Sequence, residues 1–202
     1  MLLSLLMAGC TATKINTIWK DGQTQVLPYN KILVAAVIPE HNDSIISGIE
    51  QEVVRKFQTL NYTAASNIQE FGFNGLNEMG EDNVYMTLCD AGVDAVLTFA
   101  FVNSPAAHSL KKGINKKYVN YYFYNHIWNY RNLKNNKSGD HKKLTAELIL
   151  FDLKTLQSVC VLKSNTTVKN ILDPKLIGKF IRKLEQENII QPQQKIVPLK
   201  AF

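Results

Sequence analysis

The 202-residue chain is poor in the residues from which small reactive sites are built. Its three cysteines, Cys10, Cys89 and Cys160, show no C-x-x-C spacing, which excludes a dithiol redox motif and a thiolate zinc ribbon. Of four histidines (His41, His108, His126 and His141), no two stand four residues apart, so a tetrahedral site would need ligands from remote segments. No metal and no other cofactor is expected. The sequence also lacks G-x-G-x-x-G, a phosphate-binding loop closed by Lys, H-E-x-x-H and G-x-S-x-G, and with them any local signature of nucleotide, metal-hydrolase or serine-hydrolase chemistry. The stretch GFNGLNEMG has glycines at Gly72, Gly75 and Gly80 but no Lys, and reads as a loop. No apolar run reaches the roughly 20 residues that span a bilayer as a helix.

What is present is the composition of an ordinary folded domain: 46% hydrophobic, 20% charged and 9% aromatic. A chain of this length removes on the order of 70% of its unfolded surface from water, so it needs neither disulfide nor metal for stability. The first ten residues are MLLSLLMAGC, an apolar stretch broken only by Ser4, then small Ala8 and Gly9 directly before Cys10. This resembles a bacterial lipoprotein signal. In such signals the apolar part engages the export machinery, and small residues admit the peptidase to the bond before a lipid-modified cysteine. The resemblance implies that 1–9 is removed, that Cys10 carries the lipid, and that the membrane is a partner through this anchor. The polar TATKINT that follows suits a tether, and Thr11 in place of Asp implies outer-membrane sorting under the usual enterobacterial rule. With Cys10 so used, Cys89 and Cys160 remain, both in apolar patterns that favour buried free thiols over a disulfide.

The rest reads as one α/β domain. KILVAAVI at 31–38 is a continuous apolar run of the kind buried on both faces of a sheet. From Asn42 to Leu60 the period changes: Ile46, Ile49, Val53, Phe57 and Leu60 form one stripe, with Glu50, Glu52, Arg55 and Lys56 assigned to the remainder, an amphipathic helix stopped at Asn61. A short strand at 62–66, a loop at 67–80, a helix at 81–91 closed by Gly92 and a buried strand at 93–102 complete a parallel βαβαβ half. An antiparallel hairpin of 144–153 and 158–167 follows, then a helix led by Asp173 and Pro174 with Leu176, Ile177, Phe180, Ile181 and Leu184 on its stripe. The expected architecture is a mixed sheet: parallel half, antiparallel hairpin, C-terminal helix. Segment 1–9 is the signal, 10–29 a tether with a first short strand, 30–190 the domain with an insertion at 111–143, and 191–202 an extended tail.

This order of elements, carried by KILVAAVI, GIEQEVVRKF, GVDAVLTFAFVN and TAELILFDLKTLQSVCVL followed by SNTT, resembles small bacterial envelope lipoproteins. Their core is similar to the amino-terminal domain of the Tol–Pal system's TolB protein and to the curli-secretion lipoprotein. The resemblance implies an envelope location and a nonenzymatic accessory or binding role. An alternative is a small periplasmic hydrolase acting on a cell-wall polymer, which would use His41, Asp43 and Glu147. His41 and Asp43 follow the first buried strand, at the end where α/β sheets bind ligands, but a solvated loop and helix cap explain them as well. Glu147 stands in an apolar strand, yet alternation with Thr145 and Ile149 allows a solvated hairpin face. No catalytic residue is assigned.

Charge is unevenly distributed. Between Lys111 and Lys143 nine basic residues face one acid, Asp140, leaving two more acids than bases in the rest of the chain. The same segment holds seven aromatics: Tyr118, Tyr121, Tyr122, Phe123, Tyr124, Trp128 and Tyr130. Amphipathic rings and ammonium groups together suit a lipid headgroup boundary. YVNYYFYNHIWNY could instead be strands extending the sheet, with lysines keeping the edge soluble. As a contact surface it points to Lys112, Lys116, Lys117, Tyr122, Tyr124, Trp128 and Arg131, with anionic lipid, a cell-wall polymer or an envelope protein as partner. Nucleic acid is not expected, since no recognised motif for it occurs.

Overall fold

The computed structural model describes residues 14–21, 28–38, 42–72, 76, 79, 81–103, 144–167 and 170–194. Among the described residues the elements are β1 (Asn16–Lys20), β2 (Lys31–Val37), α1 (Asp43–Thr59), β3 (Thr63–Ser66), α2 (Asn67–Phe71), α3 (Glu81–Asp90), β4 (Ala95–Asn103), β5 (Leu144–Asp152), β6 (Gln157–Thr166) and α4 (Pro174–Gln186). The strands form one six-stranded sheet in the order β1-β6-β5-β4-β2-β3. β2 pairs in parallel with β3 and β4, whereas β4–β5, β5–β6 and β6–β1 are antiparallel. The mixed sheet with a parallel half, a hairpin and a C-terminal helix is therefore observed.

β2, an interior strand between β4 and β3, shows why a continuous apolar run is buried on both faces. Ile32, Val34 and Ala36 pack on one side with Ile49, Val53 and Phe57 of α1 and Phe180 of α4, while Leu33, Ala35 and Val37 pack on the other with Val84 and Leu88 of α3. Alternation places successive side chains on opposite faces, so a strand covered on both has no polar side to show. The rings of Phe99, Phe101 and Phe180 meet at 4.9 and 5.0 Å and join β4 to α4.

Local signals set the element ends. Asn42 accepts the Ile45 N–H at 3.1 Å to start α1, and Asn61 takes a left-handed φ of 62° after it. Asp173 caps α4 through the Lys175 N–H, with Pro174 in the first turn where its missing N–H costs nothing. Gly92 has φ 69° beyond α3, a conformation for which a side chain would be strained. Between β5 and β6, Asp152 accepts the Thr155 N–H and hydroxyl, and Leu156 has φ 56°. α2 lies inside 67–80, where sequence alone indicates a loop; Ser66 caps it by accepting the Gln69 N–H. Among the described residues no helix is long and apolar enough to cross a membrane.

Candidate functional site

Where the parallel strands finish, one row crosses the sheet: Asn16 of β1, Lys163 of β6, Glu147 of β5, Ala100 of β4 and Val37 of β2. This is the end at which open α/β sheets bind ligands. Two buried carboxylates lie near it, held by different means.

Glu50 comes from α1 and is fully buried. Its carboxylate accepts the Ala36 N–H at 3.0 Å, the Ser66 hydroxyl at 2.5 Å and the Ile68 N–H at 3.0 Å. The register explains the need for it. β3 stops at Ser66, opposite Val34, so the Ala36 amide lies beyond the last rung of that ladder. Glu50 supplies the acceptor that a longer β3 would have given, and also caps α2. The sequence assigns Glu50 to the polar side of α1, yet it lies four residues after Ile46 and three before Val53, within the apolar stripe. That spacing was the available signal.

Glu147 is 2% exposed and pairs with Lys163, its cross-strand partner on β6. Thr145, Glu147 and Ile149 do share a face, but all three are buried, so the solvated hairpin face does not occur. Neighbouring ladders on both sides take up the β5 backbone, and the Lys163 ammonium provides the carboxylate with a counter-charge. Charges removed from water need such a partner.

Asp43 is exposed at the start of α1, on the sheet face that α1 covers, whereas Glu147 shares the opposite face with Ile149 and Phe151. The sheet separates these two members of the hydrolase set; His41 lies outside the described residues. Cys10 and the contact residues Lys112, Lys116, Lys117, Tyr122, Tyr124, Trp128 and Arg131 also lie outside them. Among the described residues no three His, Cys, Asp or Glu side chains converge as a metal site.

Both described cysteines are free thiols, but only Cys160 is buried, with burial pushing its thiol up to about 12. Cys89 is exposed on α3, a correction to its sequence reading: Val84 and Leu88 carry the inward stripe of that helix and Cys89 follows one position off it. α3 packs on the face opposite Cys160, so the sheet stands between the two sulfurs.

At the other end of the sheet Asp21, Asp90, Asp94 and Asp152 lie among Lys20, Lys31 and Lys154. Asp94 accepts the backbone N–H groups of Asn30 and Lys31 at 2.8 and 3.1 Å, tying the start of β2 to the start of β4. The buried Tyr29 hydroxyl is held protonated there, first by burial and then by the Asp152 and Asp94 charges. At the sheet edge, Glu187 just beyond α4 accepts from Thr17 at 2.7 Å and pairs with Lys183 and Lys20. Hydrogen bonds from Lys183 and Thr17 hold its carboxyl below the ordinary carboxylate value.

No known protein family matches the sequence. No curated protein matches it either. Among solved structures, the chain course is similar to that of a PelC dodecamer from Paraburkholderia phytofirmans. A single-substitution variant gives TM-score 0.47 and 9% identity, covering 90% of this chain and 100% of that one. A second crystal form gives TM-score 0.46 at 8% identity, covering 88% and 98%. Lipoprotein GNA1162 from Neisseria meningitidis gives TM-score 0.39 at 13% identity, covering 78% and 95%. At TM-scores below 0.5 the likeness assigns this chain no property of those proteins.

Proposed function

We propose that the chain is a nonenzymatic, lipid-anchored module of the bacterial envelope: Cys10 is the attachment point and the α/β body serves as an accessory or binding domain. The observation that carries this reading is the run MLLSLLMAGC, with its small residues and cysteine only four positions before Lys14, whose carbonyl accepts the Ser164 hydroxyl at 2.9 Å. An apolar export segment, a cleavable junction, a nucleophilic sulfur and the entry into the fold thus follow one another without a spacer domain. Thr11 directs the anchored chain to the periplasmic face of the outer membrane. The segment 111–143, through Lys112, Lys116, Lys117, Tyr122, Tyr124, Trp128 and Arg131, is the contact surface for an anionic lipid or cell-wall polymer.

Mass spectrometry of the chain from its native host tests the anchor. The expected result is loss of 1–9 and a diacylglyceryl thioether on Cys10, with Cys10→Ala retaining 1–9 and leaving the membrane fraction. An unprocessed, unlipidated amino-terminal peptide rejects the reading. A soluble form starting at Thr11 should bind anionic vesicles at low salt and lose binding once the nine basic residues of 111–143 are neutralised.

A further inference from the structure

We infer that the outer edge of β3 is the dock for the chain's own segment 195–202, which lies along it as a further strand parallel to β3. The dock is independent of the acylation of Cys10. Its edge is made wholly of described residues, while 195–202 lie outside them.

β3 is the terminal strand of the sheet among the described residues. Glu50 takes the Ala36 N–H on the side of β3, so by alternation Ile32 and Val34 also turn their main-chain groups to β3, where they meet Thr63 and Ala65. Ala64 and Ser66 therefore turn theirs outward. An ordinary edge would leave those groups to water, yet Ala64 is only 9% exposed and Ser66 is fully buried. A main-chain N–H shut off from water needs an acceptor, and no described strand provides one on this side.

The course of the chain after α4 brings 195–202 to this edge. Ile189 and Ile190 are buried in the core that includes Phe57 and Tyr62. The Gln191 N–H then donates to the Tyr62 hydroxyl at 3.2 Å, the Gln193 N–H to the Leu60 carbonyl at 2.9 Å, and the Asn61 side-chain amide to the Gln193 carbonyl at 2.7 Å. Leu60, Asn61 and Tyr62 link α1 to β3, so Gln193 is held where β3 begins. Its bond to Leu60 has the form of a parallel rung that sets Gln193 opposite Asn61. Continued in that register, Lys195 stands opposite Thr63 and Val197 opposite Ala65, which puts the Lys195 carbonyl on the Ala64 N–H and the Val197 N–H on the Ala64 carbonyl. The same alternation turns Pro192 and Pro198 away from β3, where a missing N–H removes no rung. Reach is ample: Gln193 to Leu199 spans about 20 Å when extended, against about 10 Å along β3. A segment fixed this close meets the edge at an effective concentration on the order of millimolar, ahead of a strand from another molecule.

Amide hydrogen exchange of the full chain tests the dock, read at Ala64, with Phe99 in the interior strand β4 as the control for an intact fold. Val197→Pro removes a donor from the row that faces β3 and should speed exchange at Ala64 by about tenfold or more while Phe99 stays unchanged. Truncation after Gln194 should do the same. Ile196→Pro, on the row that faces away, should leave Ala64 within about twofold of the native rate. Exchange at Ala64 as fast in the native chain as in the truncated one, or an equal response to Val197→Pro and Ile196→Pro, overturns the strand. Sedimentation of the same samples identifies the donor. Protection of Ala64 that a monomer keeps on dilution supports the chain's own segment, whereas protection that fades as a dimer dissociates assigns the strand to a second copy and overturns the dock as stated.

Discussion

Glu50 and Glu147 are both sealed from water, one in the parallel and one in the antiparallel half of the sheet, and they are satisfied by unlike partners. Glu50 reaches from a helix into a gap in the sheet's backbone bonding and takes two main-chain N–H groups and a hydroxyl. Glu147 sits on a strand paired on both sides and is matched by the ammonium of Lys163 on the neighbouring strand. A buried acid is thus shaped by what its own strand environment leaves unbonded. An interrupted parallel edge uses a carboxylate as a substitute strand, whereas a continuous antiparallel pair requires a counter-charge.

Removing the Glu50 carboxylate should have the largest effect. Glu50→Ala leaves three donors, two of them buried, without their acceptor and is expected to cost about 5 kcal/mol, measured by chemical denaturation. Glu50→Gln should recover part of that. If Glu50→Ala costs no more than an exposed substitution, the carboxylate is not replacing a strand.

That site was also the least legible in the sequence. The β2 run, the α1 and α4 stripes and the Asn42 and Asp173 caps are local patterns and could be read directly. α2 could not: five residues are too few for a period, and its start is fixed by Ser66 and by Glu50 from another element. Glu147 was visible as an acid in an apolar strand, but its burial depends on Lys163, sixteen positions later and across a turn. The exposure of Cys89 turned on a single position around α3. For α2 and Glu147 the missing information was tertiary, a partner supplied by an element remote in the chain.

The antiparallel half gives the next effect. Lys163→Met leaves the Glu147 carboxylate buried without its counter-charge and should cost about 3–4 kcal/mol, while Glu147→Leu with Lys163→Met should recover most of this or exceed the native stability. A double variant as unstable as the single one would show that Glu147 is held chiefly by other groups, closer to the manner of Glu50.

Glu187, at the rim of the same half, should give the smallest effect. Its carboxyl is held below the ordinary value near 4.5, so its contribution is full above that value and is lost as pH falls through the lowered one. Glu187→Gln should cost under about 1 kcal/mol because the pairs it makes are partly exposed. Hydrogen exchange of the β1 amides should distinguish native from Glu187→Gln at about pH 6 and do so less and less as the pH is taken below the ordinary carboxylate value. A difference that persists in acid would assign the clamp to something other than the carboxylate.

The outermost position of β1 also has a mechanical meaning. A pull applied at Lys14 along β1 acts nearly at right angles to its rungs with β6, so the rungs are sheared together and do not open one after another. Glu187 grips Thr17 and Lys20 on either side of the irregular step between Thr17 and Trp19, adding a second point of resistance where the rung pattern is weakest. A short rim strand held in this way resists a pull along its axis more than a peel away from its neighbour.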